Sequence, residues 1–250
     1  MRQALHLAAS LAVALALALP LPAQAGEPAV ATAAARERAL ADRLSTLLNS
    51  EATIIGDARS DAKAHEFALG LFGSSEDIVA LEAEYPGIVA EFLDALMPIV
   101  NNSMRVRLPE LQRRQSDLYV ETFDEADLAF LLRFYESPTG RKLIALTMDN
   151  MRTDNMARAA KSSDDLTVSP DAVVADLRST AHAITPHFDD SDMPMLIALG
   201  SSSAAPKMQA MALRTQQIGL DWQDEYLPGE EEEIEALLES IFARRMEATE

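Results

Sequence analysis

Apolar residues recur at helical spacing along most of the chain. Leu40, Leu44, Leu47 and Leu48 share one face of a stretch over 27–50 that is rich in Ala, Leu and Arg, so the spacing predicts an amphipathic helix there. Further helices are predicted over 58–72 and 76–84, before Tyr85-Pro86-Gly87 interrupts the pattern. Pro86 can open the next helix, whose stripe is Ile88, Phe92, Ala95, Leu96 and Ile99, and Pro109 similarly opens one reaching about 120. Thr122, followed three positions later by Glu125, reads as a capping box ahead of Leu128, Leu131, Leu132 and Tyr135. Ser137-Pro138 should end that helix and start another over 138–161.

The second half of the chain is punctuated in the same way. Residues 162–169 are polar and read as a linker, Ser169-Pro170-Asp171 repeats the cap-then-proline start, and Pro186 stops that helix. A further helix begins near Asp189, a small polar joint covers 200–205, and Pro206 opens a helix to about Gln217. After the Leu227-Pro228-Gly229 turn, a last helix lines up Ile234, Leu237, Leu238, Ile241 and Phe242. Its acidic start, 230–233, and its Arg244 and Arg245 suit the two ends of a helix dipole. No stretch alternates in the manner of a strand, so the pattern predicts an all-α, multi-helix bundle.

The beginning of the chain has a different character. Arg2 precedes an unbroken Leu, Ala and Val run over 11–19, then Pro20, Pro22 and Ala23-Gln24-Ala25. A charged start, a short apolar run, a breaker and an Ala-x-Ala site predict a cleavable secretory signal, cut after Ala25. No later run is apolar and long enough to span a bilayer. The division expected is therefore a signal over 1–25, an N-terminal helical region over 26–108, a helical hairpin over 109–161, and a second hairpin with an acidic helix over 162–250.

The two hairpins are related in sequence. Displaced by 65 residues, 123–146 falls on 188–211 without a gap, with seven of 24 positions identical. Phe123/Phe188, Asp124/Asp189, Asp127/Asp192, Leu131/Leu196, Ser137/Ser202, Lys142/Lys207 and Ala145/Ala210 are the matches. An internal duplication of a helix-turn-helix unit is the expectation.

The first copy also carries a family resemblance. Thr122-Phe123-Asp124-Glu125-Ala126-Asp127-Leu128, leading into Phe134-Tyr135-Glu136-Ser137-Pro138-Thr139-Gly140-Arg141-Lys142-Leu143, resembles the signature of the bacterial family catalogued as domain of unknown function 2059. The resemblance spans about 109–156, and the second copy departs from it at Gly200, Ser203 and Ala205, where the Tyr, Pro and Gly would stand. It implies a helical, exported protein and brings no established activity and no catalytic residues.

Composition narrows the chemistry. With no Cys, the chain has no disulfide, thiol nucleophile or acyl anchor. Its 40 acidic against 21 basic residues, net −19, argue against nucleic acid as a partner. The charge is uneven: 101–161 holds ten basic and nine acidic side chains, whereas 221–250 holds two and eleven. The acidic end reads as a solvated face, with Trp222 and Tyr226 beside it as potential anchors for a basic partner. An exported chain without Cys fits a bacterial periplasm and depends on helix packing.

Among candidate sites, the 137–142 turn, with Ser137, Gly140, Arg141 and nearby Tyr135, reads either as an anion site or as a helix junction in which Ser137 caps and Gly140 allows close approach. His182, His187, Asp189, Asp190 and Asp192 contain metal-ligand side chains, but Pro186 breaks the spacing that would place two ligands on one face. Met193, Met195, Met208 and Met211 offer thioethers, yet under the 65-residue displacement they fall on Leu128, Phe130, Leu143 and Leu146 and so read as deformable core. No metal, cofactor or catalytic set follows from these residues. The expected function is a binding module of the cell envelope, holding a protein segment or an apolar small molecule in a groove between the hairpins. Two alternatives remain open: a hydrolase using acidic residues, with or without a metal near His182 and His187, and a structural subunit of an envelope assembly.

Overall fold

A computed structural model describes residues 32–56, 65, 68–70, 76–150, 154–162 and 170–247. The expected signal with its cut after Ala25, the linker over 163–169 and most of the helix expected over 58–72 lie outside the described residues. Among the described residues there are eleven α-helices and no strand, so the fold is all-α. In chain order they are α1 (Ala33–Leu48), α2 (Glu51–Ile54), α3 (Glu76–Glu84), α4 (Ile88–Thr122), α5 (Glu125–Glu136), α6 (Pro138–Asp149), α7 (Asp154–Lys161), α8 (Pro170–Ile184), α9 (Met193–Gly200), α10 (Ala204–Gln223) and α11 (Glu230–Glu247), with a 3₁₀ turn at Thr185–His187.

The spine is α4, 35 residues and about 52 Å long at 1.5 Å per residue. Both Pro98 and Pro109 lie inside it, which corrects the expectation that Pro109 opens a separate helix. Each proline forgoes one hydrogen bond of the ladder, a local cost of about 3 kcal/mol. Packing along the whole length offsets it, because α1, α10 and α11 all lie against α4. The helix starts at Gly87, whose φ of +84° is open to glycine and strained for other residues. There the Glu82 carboxylate accepts from the Gly87 and Val89 amides at 2.5 and 3.2 Å.

Three apolar clusters follow the spine. Around its C-terminal half, Leu118 and Tyr119 join Leu44 of α1, Leu128 and Leu131 of α5, Ile144 of α6 and Met211 of α10. Its middle packs Met104, Leu108 and Leu111 against Ile54 and Trp222. Its N-terminal half, with Ile88, Phe92, Leu93 and Leu96, meets Ile234 and Ile241 of α11. The last helix thus turns toward α4 the stripe its spacing predicts, with Ile234 and Ile241 buried and Leu237, Leu238 and Phe242 partly so.

Other boundaries differ from the sequence expectation. The cap of α5 is Asp124, which accepts from the Asp127 amide at 2.9 Å. Thr122 instead ends α4 and turns its hydroxyl back onto the Leu118 carbonyl at 2.7 Å. The helix expected over 138–161 is two, α6 and α7, with Asn150 closing α6 through the Leu146 carbonyl. The α10 helix starts before Pro206 and runs on to Gln223. Among the described residues no helix is long and apolar enough to cross a membrane.

Candidate functional site

The tightest construction lies where α5 meets α6, separated by Ser137 alone. The Ser137 hydroxyl donates to the Phe134 carbonyl at 2.6 Å and accepts from the Gly140 amide at 3.0 Å, closing one helix and opening the next. Pro138 occupies the first turn of α6, where its missing amide hydrogen removes nothing. A Cβ on Gly140 would stand 2.0 Å from the Phe134 carbonyl oxygen and 2.6 Å from the Tyr135 Cα, so only glycine allows this approach. Tyr135 is buried, its ring edge-on to Phe134 with centroids 5.1 Å apart, and burial pushes its phenol up to about 12. Arg141 donates to the Glu136 carbonyl at 2.6 Å. The residues of the suggested anion turn are thus bound to their own junction.

Residues 109–163 match the family model DUF2059, an uncharacterized protein conserved in bacteria. No curated protein matches the chain, and no solved structure does. The DUF2059 segment begins in the middle of α4, at Pro109, and continues through α5 and α6 into α7.

The DUF2059 hairpin, α5–α6, is joined to α9–α10 by crossed ion pairs. Lys142 of α6 reaches Asp192 at 2.6 Å and Asp189 at 3.6 Å, ahead of α9. In return Lys207 of α10 pairs with Asp127 of α5 and lies 3.5 Å from Asp124. The four aspartates and two lysines are pairs matched by the 65-residue displacement. Hydroxyls complete both ends: Thr139 donates to Asp192 at 3.0 Å, and Ser203 to Asp127. The Lys142 ammonium also sits 5.5 Å from the centre of the Phe188 ring.

Asp127 and Asp192 are only 2% and 5% exposed, and their ionisation is set by these partners. Burial would raise the Asp127 carboxyl, but the hydrogen bonds from Lys207 and Ser203, and the Lys207 charge, outweigh it and hold it below the ordinary range. The Lys142 hydrogen bond lowers Asp192 against its own desolvation. Lys142 and Lys207 are raised, first by hydrogen bonds to Asp192 and Asp127 respectively. A lysine held protonated is no general base for Ser203, and a carboxylate with a lowered pKa is a weak one. The cluster is a clamp between two helical pairs.

Its pH dependence follows by linkage. A depressed folded-state carboxyl stabilises above its unfolded pKa, and that contribution fades as pH falls below about 4. The raised lysines act oppositely, their contribution being lost only as pH rises beyond about 10.5. We expect chemical-denaturation stability to drop between pH 4 and 2, and Asp127→Asn/Asp192→Asn to be less stable at pH 7 with a shallower drop.

Elsewhere the expected candidates separate. Met195, Met208 and Met211 pack into the cluster around the C-terminal half of α4, whereas Met193 is 43% exposed. That corrects its expected core position. His182 and His187 are both exposed, and among the described residues no three His, Asp or Glu side chains are placed to hold a metal ion. Trp222 is fully buried, which excludes it as a surface anchor. Its indole N–H donates to the Arg107 carbonyl at 3.1 Å, and the Arg107 guanidinium lies 4.8 Å over the ring.

Between the hairpins Leu131, Ala204 and Met211 pack together with Leu196 and Leu199. The open apolar cleft is at the other end of α4, walled by Ile78 and Leu81 of α3, Val89 and Phe92 of α4, and Leu238 and Phe242 of α11. It adjoins a depression of about 280 Å³ reached by Leu69 and Val79, with the Glu82 side chain at its edge. Val79 is 51% exposed there. Sequence reasoning placed the groove between the hairpins because Met-rich helices suggested a deformable wall. The signal that was available for the clamp was the identity, under the 65-residue displacement, of two Asp positions and one Lys position, Asp124/Asp189, Asp127/Asp192 and Lys142/Lys207.

Proposed function

We propose that the chain is an exported, periplasmic binding module built on a duplicated helical hairpin, and that it takes an apolar ligand, an acyl chain, in the cleft between α3, α4 and α11. The observation that carries this is the cleft itself: eight aliphatic or aromatic side chains from three helices line it, and exposed Val79 continues it outward. Such a surface selects by shape and hydrophobicity, with a polar edge to orient a headgroup. Export is supported by the 1–25 pattern and the missing Cys. Duplication is supported by the crossed lysine and aspartate pairs, since each hairpin presents the same two groups to the other.

The test is a titration with a fluorescent dodecanoyl probe. Saturable binding to the wild-type chain, lost in Val89→Trp, which fills both parts of the cleft, is the expected result. Absence of saturable binding, or equal binding by a folded Val89→Trp protein, overturns it.

A further inference from the structure

The helix α9, Met-Pro-Met-Leu-Ile-Ala-Leu-Gly, is apolar on all sides, yet none of its residues is buried. An all-apolar helix is ordinarily enclosed. Its counterpart α5 is enclosed, and the comparison shows what α9 lacks. Along α5, Glu125, Leu128, Leu132 and Glu136 form one helical stripe at spacings of three and four. The helix α1 covers α5, with Leu44 and Ala41 in one cluster with Leu128 and Leu132. Arg36 pairs with Glu125 at 3.3 Å and Arg43 with Glu136, fixing the two ends.

Displaced by 65 residues, that stripe becomes Asp190, Met193, Ile197 and Ser201. All four are exposed, Met193 to 43% and Ile197 to 62%, where Leu128 and Leu132 are 0% and 3%. The opposite side of α9, with Met195, Leu196 and Leu199, is packed on the shared cluster, so exposed Met193 and Ile197 lie on the side that α1 covers in the first hairpin. Asp190 holds the place of Glu125, and no ion pair to it is found among the described residues.

We propose that this face receives an amphipathic helix of a partner protein, with a Leu stripe against Met193 and Ile197 and an Arg opposite Asp190, as α1 does on α5. The one α1 among the described residues is already engaged on α5 and is not the occupant. Asp189 and Asp192 are held by Lys142, which leaves exposed Asp190 to favour a basic residue on the partner helix. The inference rests on the hairpin correspondence and is independent of the cleft, whose probe titration reports separately.

The probe is a fluorescein-labelled peptide of residues 32–49, the sequence of α1 itself, titrated into the full chain by anisotropy. Saturable binding is expected, weakened about tenfold or more by Ile197→Glu and restored in part when Asp190→Arg is combined with Arg36→Glu in the peptide. Ile197 is exposed, so Ile197→Glu should melt at the wild-type temperature, and its dodecanoyl binding should be unchanged. No saturable binding overturns the proposal. So does binding indifferent to Ile197→Glu, which would mean that the peptide displaces α1 from α5. Sedimentation adds a third reading: a wild-type dimer made monomeric by Ile197→Glu would give the face to a second copy and overturn the partner.

Discussion

Gly140→Ala should unfold the α5–α6 junction, with a loss of at least about 3 kcal/mol, at the upper end of overpacking substitutions. The added methyl would enter the space of the Phe134 carbonyl and the Tyr135 Cα. These are backbone atoms, so no side-chain rotation relieves the clash. Moving α6 away would break the Ser137 hydroxyl's bridge to the Phe134 carbonyl and the Gly140 amide, and would carry Lys142 away from Asp192. Gly200→Ala is the control: its Cβ meets nothing within 4 Å, and Ala in place of a helical Gly should be neutral or gain up to about 1 kcal/mol. Urea unfolding of the two variants should therefore move in opposite directions or leave Gly200→Ala unmoved. A Gly140→Ala protein with wild-type stability would mean that the junction is looser than described. The second hairpin holds Ala205 at the matching place, and there three residues rather than one separate the helices, which gives the methyl room.

Trp222→Ala should cost about 3–5 kcal/mol, the usual range for emptying a buried indole site. The ring is 0% exposed and fills the middle cluster between Ile54, Met104, Leu108 and Leu111. Its loss also strands polar groups. Arg107 stacks on the ring, donates to the Trp222 carbonyl and reaches the Ser103 hydroxyl at 3.2 Å. Ser103 in turn donates to buried Glu230 at 2.6 Å, which also accepts from the Leu227 amide at 2.7 Å. Burial draws the Arg107 guanidinium below its ordinary value against the pull of Glu230 and Glu225, so it depends on these contacts. Trp222→Phe keeps most of the volume and loses the N–H bond, and should cost about 1–2 kcal/mol more than a perfect isostere would. Guanidinium unfolding of both variants, followed by far-UV circular dichroism, separates the packing from the hydrogen bond. Equal losses in the two would place the effect on the indole N–H alone.

Elements whose ends are marked by local chemistry were legible in the sequence. Glu76–Glu84 begins and ends where its pattern says, and Ser137-Pro138 acts as the cap-and-start it spells. Pro98 and Pro109 were misleading because the penalty of a proline is local whereas its compensation is not: α4 is covered by helices distant in sequence. Thr122 and Asp124 are both good caps, and which one serves depended on where α4 stops. Trp222 stands among acidic residues, so its neighbours in sequence suggested water; its neighbours in space are Arg107 and Ile54. Met193 shows the limit of reading one copy from another, since burial of Leu128 depends on α1, a helix present once.

The crossed pairs bear on assembly. Each hairpin carries an aspartate pair for its partner's lysine and a lysine for its partner's aspartates, so the contact is self-complementary in the way a two-fold dimer interface is. Two chains that traded second hairpins would satisfy the same bonds with the same geometry. The contact energy therefore does not distinguish a closed single chain from an exchanged pair. What distinguishes them is the tether of α7 and α8 between the hairpins, which sets the local concentration at which one meets the other. Shortening or stiffening that tether is the change that would convert the closed chain into an interlocked dimer, with every residue of the clamp left as it is.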